Sequence, residues 1–307
     1  MNRSNNFRSS LCLSLTALIW GIAFVFQSMG NLYMGPFTFN AARNLLGCLA
    51  LLPFVLFRLK TKAPSDKPKI NMKITLIGGV CCGLALATAG MFQQYGVKYT
   101  TVGKAGFITT LYIILTPIFG LLLGKKCRFT VWIGAVGAVI GLYMLCITER
   151  LSLSLGDLLV FICAIFFAVH ILIIDYFSPK TDGVLLSCIQ FLVCTVVCGV
   201  IALIVETPSI EQLRQGIIPL LYTGIMSSGV AYTLQVIGQK NFNPTIAAMI
   251  MSLESVISAL ASYFAFRMGW LAQDQSMTIM QILGCILMFA SVIFVQLPFE
   301  KIKRRTH

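Results

Sequence analysis

The sequence predicts an all-α integral membrane protein of ten transmembrane helices, arranged as two inverted five-helix repeats with both termini in the cytoplasm. Composition is the first observation behind this prediction, because 58% of the 307 residues are hydrophobic and only 11% are charged. Soluble domains carry about 45–50% apolar and about 25% charged residues. The composition therefore excludes a water-soluble enzyme, a disordered chain and a charged nucleic-acid binder, and it makes the lipid bilayer the expected surroundings.

The second observation is a series of apolar segments, each near the length of about 20 residues that a spanning helix needs. Turn residues separate several of them, as at Gly35-Pro36, at Ser178-Pro179 and before Pro244. The predicted spans are 11–30, 37–57, 74–95, 101–123, 129–147, 156–177, 184–205, 216–238, 244–266 and 277–297.

The third observation is the distribution of the 23 Lys and Arg residues, which give the chain a net charge of +13. With a cytoplasmic N-terminus and ten spans, 17 of them lie in inner loops or at the two ends, and four lie in outer loops. Cytoplasmic loops carry an excess of Lys and Arg. The split therefore predicts an even number of spans, and the positive charge needs no nucleic-acid partner.

The 11 cysteines do not suggest a disulfide framework or a metal site. Ten of them lie inside apolar segments, where Cys behaves as a small hydrophobic residue. Cys127 alone lies in a short basic loop, and no CxxC pairs with His at zinc spacing. We expect no metal and no cofactor.

An internal repeat divides the chain into residues 11–147 and 156–297. Residues 17–21 read ALIWG and residues 164–168 read AIFFA, and residues 96–98 (GVK) match residues 238–240 (GQK) at a shift of 142. Since each half has five predicted spans, the second half enters the membrane from the opposite side. Such inverted repeats bind substrate near the midplane between the halves.

Several short stretches carry a family resemblance, and it extends over residues 11–297. They read LIWG at 18–21, FNAAR at 39–43, KAGFIT at 104–109, LTP at 115–117, GDLL at 156–159, PTIAA at 244–248 and SLES at 252–255. In their order and spacing the chain resembles a bacterial member of the drug/metabolite transporter superfamily, with two EamA domains. It departs from the family at residues 124–126 and 267–269, where Gly-Glu-Arg is common, and at Ser255, where a proline follows the glutamate.

The resemblance implies a secondary-active transporter in the bacterial inner (plasma) membrane. Its substrates would be small metabolites, namely amino acids or related polar solutes, with export as the expected direction. No ATP-binding motif is present, so an ion gradient or the solute's own gradient would drive it. Two alternatives remain, a flippase for lipids or lipid-linked sugars and an intramembrane enzyme, but no HExxH, P-loop or GxSxG motif supports an enzyme.

Two polar residues are predicted near the middle of the membrane, Glu254 in the ninth span and Tyr112 at the equivalent position of the fourth. Glu254 lies roughly 15 Å along its span at the helical rise. A carboxylate at that depth faces a polar cavity, finds a partner on another helix or carries a proton. We expect the two side chains on opposite walls of one cavity, where Glu254 couples protons or binds an amine. Structural roles in helix packing are the alternative.

Two cations lie inside apolar segments, Arg43 in the second span and Lys104 one turn into the fourth. Arg43 shares a helical face with Asn40, so the pair predicts a contact with an anionic group, with snorkelling to the membrane surface as the alternative. Lys104 is expected either near the outer headgroups or as a gate or substrate contact.

Further candidates are weaker, because each has an ordinary packing role as its alternative. Trp20 is predicted near the midplane, where its ring could stack on a substrate, and His170 lies deep in the sixth span. Gln93, with its neighbour Gln94, is expected near an outer gate, and Tyr232 and Gln235 near an inner gate.

Two acidic residues and two glycine pairs have structural interpretations. Asp157 is expected to cap the sixth span, and Asp175 to pair with Lys180. Glycines spaced by four, at 79 and 83 and at 137 and 141, allow close helix packing. That packing lies either inside the bundle or at a homodimer interface.

Overall fold

The computed structural model describes residues 3–61, 71–125, 127–146, 154–271 and 278–296, and no β-strand occurs among them. A short 3-10 turn, Ser178–Lys180, follows α7, and a π-helix, Tyr222–Tyr232, lies between α10 and α11. The α-helices are α1 (Arg3–Gly30), α2 (Pro36–Thr61), α3 (Met72–Val97), α4 (Val102–Thr109), α5 (Tyr112–Leu122), α6 (Phe129–Cys146), α7 (Leu155–Phe177), α8 (Gly183–Val205), α9 (Ile210–Gln215), α10 (Ile217–Leu221), α11 (Thr233–Gln239), α12 (Pro244–Met251), α13 (Glu254–Arg267) and α14 (Ile279–Gln296).

Most of the predicted apolar segments are helices of membrane-spanning length. Eight helical segments of the described chain are long and apolar enough to cross a bilayer, and Phe129–Met144 and Ile279–Val295 are apolar but shorter. The chain is therefore an all-helical, multi-pass membrane protein, and the count of ten spans stays a prediction. Residues 62–70, 147–153, 272–277 and 297–307, which hold many of the predicted loop charges, lie outside the described residues.

The fourth and ninth spans extend over Val102–Leu122 and Pro244–Arg267, close to the predicted 101–123 and 244–266, but each is interrupted. One tight turn separates α4 from α5, and another separates α12 from α13. In the first the Thr110 hydroxyl donates to the Phe107 carbonyl at 2.8 Å, and in the second the Ser252 hydroxyl donates to the Met249 carbonyl at 2.7 Å. Hydroxyl groups that bond a carbonyl three residues back compete with the helical pattern. The two turns are 142 residues apart, which is the shift of the sequence repeat.

The eighth span is not a regular α-helix either, because its middle turns form the π-helix Tyr222–Tyr232. Donors on α1 bond carbonyl groups of these wide turns. The Thr16 hydroxyl donates to the Ala231 carbonyl at 3.0 Å, and Trp20 Nε1 donates to the Ser227 carbonyl at 3.4 Å. π-Helical turns occur frequently at functional sites, and this one faces the cavity described below.

Helices of the two halves interdigitate. α3 packs along α7 and α8, α6 packs along α14, and α2 packs along α8 and the π-helix. A Cβ added at Gly83 would lie 2.8 Å from the Gln190 carbonyl oxygen, and one added at Gly141 would lie 2.7 Å from the Gly284 carbonyl oxygen. These glycines therefore serve close contacts inside the bundle, and a homodimer stays a prediction.

Ion pairs join α4–α5 to α7 at both ends of the bundle. Lys104 Nζ lies 2.6 Å from Asp157 Oδ2, and Lys125 pairs with Asp175. Asp157 also caps α7, as predicted, in a reciprocal pair of hydrogen bonds with Ser154. The prediction that Asp175 pairs with Lys180 was wrong, because α5 ends beside Asp175. We call the side of the bundle at which α7 begins the first face, and the side at which it ends the second face.

Candidate functional site

A cavity lies in the middle of the bundle, where the two interrupted helices meet helices of both halves. It contains about 300 Å³ of space not occupied by atoms, its open mouth included. The residues that line it are Trp20, Phe24, Gln27, Arg43, Gln93, Thr109, Tyr112, Phe167, Ser227, Tyr232 and Glu254.

Glu254 and Tyr112 are in direct contact at this cavity. Each is the first residue of a half-helix, α13 and α5, immediately after an interruption. Tyr112 Oη donates to Glu254 Oε1 at 2.9 Å, and the two residues are 2% and 3% exposed. The N-terminus of a helix favours a carboxylate through the helix dipole. The expectation of one shared cavity thus agrees with the geometry, but the two side chains are neighbours and not on opposite walls.

Arg43 supplies a cation to the same cavity. The residue is 4% exposed, so its side chain lies in the cavity wall and not at the membrane surface. Within the described part of the chain, its Nε and Nη1 atoms have no hydrogen-bond partner, and no ion pair joins Arg43 to Glu254. These two nitrogen atoms belong to a planar set of donors that suits a carboxylate or phosphate group.

Aromatic rings form much of the remaining wall. Trp20 and Tyr232 pack with ring centroids 4.5 Å apart, and Phe24 and Phe167 complete an apolar side. The cavity therefore combines an acid, a cation and apolar rings. Ligand sites of this kind bind an apolar body and orient it through a few polar groups.

The two predicted gates are not separate in the structure. Gln93 and Tyr232, expected near opposite ends of the bundle, both line the one cavity. Gln93 donates to the Thr109 hydroxyl at 3.3 Å. Gln94 instead ties α3 to α1, because its amide donates to the Gln27 carbonyl at 3.0 Å. Gln235 is buried but does not line the cavity.

Three further candidates lie outside the cavity and have partners of their own. The Asn40 amide donates to the Gly90 carbonyl at 3.0 Å, which fastens α2 to α3. Lys104 is held by Asp157. His170 Nε2 lies 3.1 Å from Gln190 Oε1. Their predicted roles as substrate contacts stay untested.

Sequence reasoning missed five residues of the cavity wall, namely Phe24, Gln27, Thr109, Phe167 and Ser227. Helical periodicity could have found the first two, because they follow Trp20 at four and seven residues on the same helix face. Ser227 could not be found in this way, since the π-helix changes the register of its face.

Metal chemistry has no visible basis in the described residues, where no group of three His, Cys, Asp or Glu side chains could hold a metal ion. Ten cysteines of the described chain are free thiols.

Comparison with known proteins identifies the family of the chain. The EamA-like transporter family matches the chain twice, over residues 8–147 and 154–297. The chain belongs to this family, so the predicted membership is confirmed, and it is a membrane transporter.

Individual relatives agree with that class. The chain is 32% identical to an uncharacterized transporter of Archaeoglobus fulgidus over 94% of this chain and 86% of that protein. It is 25% identical to the uncharacterized transporter YoaV of Bacillus subtilis, over 93% and 96% of the two chains. A solved structure titled "Crystal structure of protein" has a TM-score of 0.70 at 18% identity, covering 94% of this chain and 96% of that one, and therefore supports the fold alone.

Proposed function

We propose that the chain is a secondary-active transporter that moves small metabolites out of a bacterial cell by alternating access, with Glu254 coupling the movement to protons. The observation that carries this proposal is the buried Tyr112–Glu254 contact, at the meeting point of two half-helices and in the same cavity as the Arg43 guanidinium. Transporters built from inverted repeats bind solutes and coupling ions near the midplane, at interrupted helices.

The proposed topology has ten spans in two inverted repeats, placed in the inner (plasma) membrane of a bacterial cell with both termini in the cytoplasm. The two interruptions support it, because they occupy equivalent positions of the two family matches. The charge distribution supports the orientation. It makes the first face the outer one and the second face the cytoplasmic one. A reporter fused after Arg305 should be active in the cytoplasm, and an external signal would contradict the topology.

The proposed solutes are amino acids or related polar metabolites. The Arg43 guanidinium suits the carboxylate of such a solute, Glu254 suits its amine, and the rings of Trp20, Phe24 and Phe167 suit an apolar side chain. Both charged groups of a zwitterion then have a partner in the cavity. That matters because an unpaired charge inside protein or lipid is costly.

Proton coupling follows from the position of Glu254. An acidic residue at the centre of a membrane helix costs roughly 2.5–3.5 kcal/mol on translocon-based scales, and Tyr112 supplies only one hydrogen bond. A proton or a solute amine would remove that cost. If the two compete for the carboxylate, binding of the solute on one side releases a proton there, and the solute and the proton cross in opposite directions.

The test is a metabolite screen in proteoliposomes of the purified protein, run with and without an imposed pH gradient. The proposal predicts that at least one zwitterionic metabolite accumulates only with the gradient and exchanges without it. Protein-free liposomes are the control. Movement of labelled lipid without any solute flux would contradict the proposal and favour a flippase.

A further inference from the structure

A second group of polar side chains lies outside the cavity, between α7, α8 and α11. Every member is at most 1% exposed. Four members have neutral amide or hydroxyl groups, and the fifth is a histidine. We call it the inner polar cluster, and its members are His170, Ser187, Gln190, Gln235 and Gln239.

Direct contacts bring the three helices of this cluster together. His170 on α7 and Gln190 on α8 are joined at 3.1 Å. The Gln239 amide on α11 donates to the Ile171 carbonyl on α7 at 3.3 Å. Ser187 lies one turn before Gln190 on the same face of α8, and Gln235 lies one turn before Gln239 on the same face of α11. His170, Gln190 and Gln239 therefore lie where the three helices meet, and Ser187 and Gln235 lie one turn away from them on α8 and α11.

Each member of the cluster has one polar atom without a hydrogen-bond partner among the described residues. These atoms are His170 Nδ1, Ser187 Oγ, Gln190 Nε2, Gln235 Oε1 and Gln239 Oε1. Buried polar groups are almost always hydrogen-bonded, to protein or to ordered water. The five atoms include both donors and acceptors, and water can serve each kind.

The cluster lies between the cavity and the second face. Tyr232 lines the cavity, where its ring packs on Trp20, and the rings of His170 and Phe191 each have a centroid 6.0 Å from its own. From Tyr232, the residues Gln235 and Gln239 follow on one stripe of α11 towards its end at the second face. Tyr232 is thus the boundary between the cavity and the cluster.

We infer that the inner polar cluster is a hydrated region and forms the inward half of the solute route, with the Tyr232 ring as the barrier between it and the cavity. The route rests on the proposed function, whereas the hydration stands on the unsatisfied atoms alone. Neutral amides and a hydroxyl suit this role, because they exchange hydrogen bonds with a polar solute without holding its charge. A passage requires binding that is strong enough for entry and weak enough for release.

The hydration can be measured in the unsubstituted protein by radiolytic hydroxyl-radical footprinting, which oxidises side chains beside bound water. Phe191 and Phe39 form a matched pair, because both are fully buried phenylalanines. Phe191 lies beside the cluster, and Phe39 packs among the apolar Met34 and Leu220. Oxidation of Phe191 should be several-fold faster than that of Phe39. Equal rates would mean a dry cluster and would overturn the inference.

The route is tested by transport of a metabolite from the proteoliposome screen. Gln239→Met keeps the length of the side chain and removes its amide, so flux should fall several-fold while the solute affinity at the cavity stays unchanged. The unfolding temperature should fall only slightly, through the loss of the hydrogen bond to the Ile171 carbonyl. Thr116→Val is the control, since Thr116 is equally buried and its hydroxyl also lacks a partner in the described chain, but it lies in α5 outside the cluster.

Full flux in Gln239→Met would overturn the route. If that variant fails to fold, Gln235→Met makes the same test with the same expected loss. A lack of any transport by the unsubstituted protein would instead contradict the proposed function, and the ratio of Phe191 to Phe39 oxidation would still decide whether the cluster holds water.

Discussion

The two interrupted helices share one backbone design and differ in the chemistry that they bring to the cavity. Each has a tight turn with a hydroxyl bonded three residues back, and each begins its second half-helix at the cavity. The first repeat places Tyr112 there, and the second places Glu254. The two repeats thus have the same turn but different residues after it, and Tyr112 donates the hydrogen bond that Glu254 accepts.

The helices after the two turns also differ. α5 contains Pro117, whereas α13 carries Ser255, Ser258 and Ser262, whose hydroxyls bond carbonyl groups three residues back. These serine hydroxyls are therefore hydrogen-bonded within their own segment. The polar side chain that α13 presents to the cavity is the carboxyl of Glu254. The comparison predicts that changes at Glu254 affect transport far more than changes at Tyr112.

The largest expected effect is the difference in proton-driven solute accumulation between Glu254→Gln and Tyr112→Phe. Glu254→Gln keeps the shape and cannot ionise, so proton-driven accumulation should disappear, and solute exchange should continue only at a higher solute concentration because the amine has lost its charged partner. Tyr112→Phe removes one hydrogen bond to a carboxyl, a cost of about 1.5–3 kcal/mol, and should weaken accumulation without abolishing it. Accumulation assays in proteoliposomes measure both. Equal losses in the two variants would contradict the division of roles.

The next effect concerns Arg43, which lies in the wall of the same cavity as the Tyr112–Glu254 pair. Arg43→Lys keeps the charge but loses the planar fork of donors. We expect the half-saturating solute concentration to rise about tenfold, the equivalent of one hydrogen bond to a charged group, with folding unchanged. Unaltered kinetics would exclude a direct contact between Arg43 and the solute.

Much of this arrangement is predictable from the sequence, and the reasons for the misses are physical. Composition, segment length and the shift of 142 lead to a membrane bundle and place Glu254 and Tyr112 in one cavity. The interruptions were missed because residues 110–111 and 252–253 contain no Gly or Pro, so only hydroxyl bonding marks them. The π-helix has the hydropathy of an α-helix. The Lys125–Asp175 pair joins residues 50 positions apart, which no local pattern reveals.

A smaller effect tests how closely α1 packs on α13. A Cβ added at Gly21 would lie 2.8 Å from the Glu254 carbonyl oxygen and 2.5 Å from Ile257 Cβ. Gly21→Ala should therefore destabilise the protein by about 1–3 kcal/mol through overpacking. Gly103→Ala on α4 is the control, because a Cβ there meets no described atom within 4 Å. Thermal unfolding in detergent measures both, and a stable Gly21→Ala variant would mean that α1 moves freely against α13.

The smallest expected effects are losses of stability, of similar size in the two repeats. Thr110→Val and Ser252→Ala each remove one hydroxyl bond within a turn, worth about 0.5–1.5 kcal/mol. We expect both variants to lose stability by similar amounts and to keep transport coupling. A loss of coupling in only one of them would show that the two turns are not equivalent.

Proton movement during solute transport tests the role of Glu254 most directly. Proteoliposomes with a pH-sensitive dye inside, and no imposed pH gradient, would receive a solute identified in the screen. The unsubstituted protein should move protons in the direction opposite to the solute, and Glu254→Gln should exchange the solute, at a higher solute concentration, without any dye response. A dye response in Glu254→Gln equal to that of the unsubstituted protein would contradict the assignment of proton coupling to Glu254.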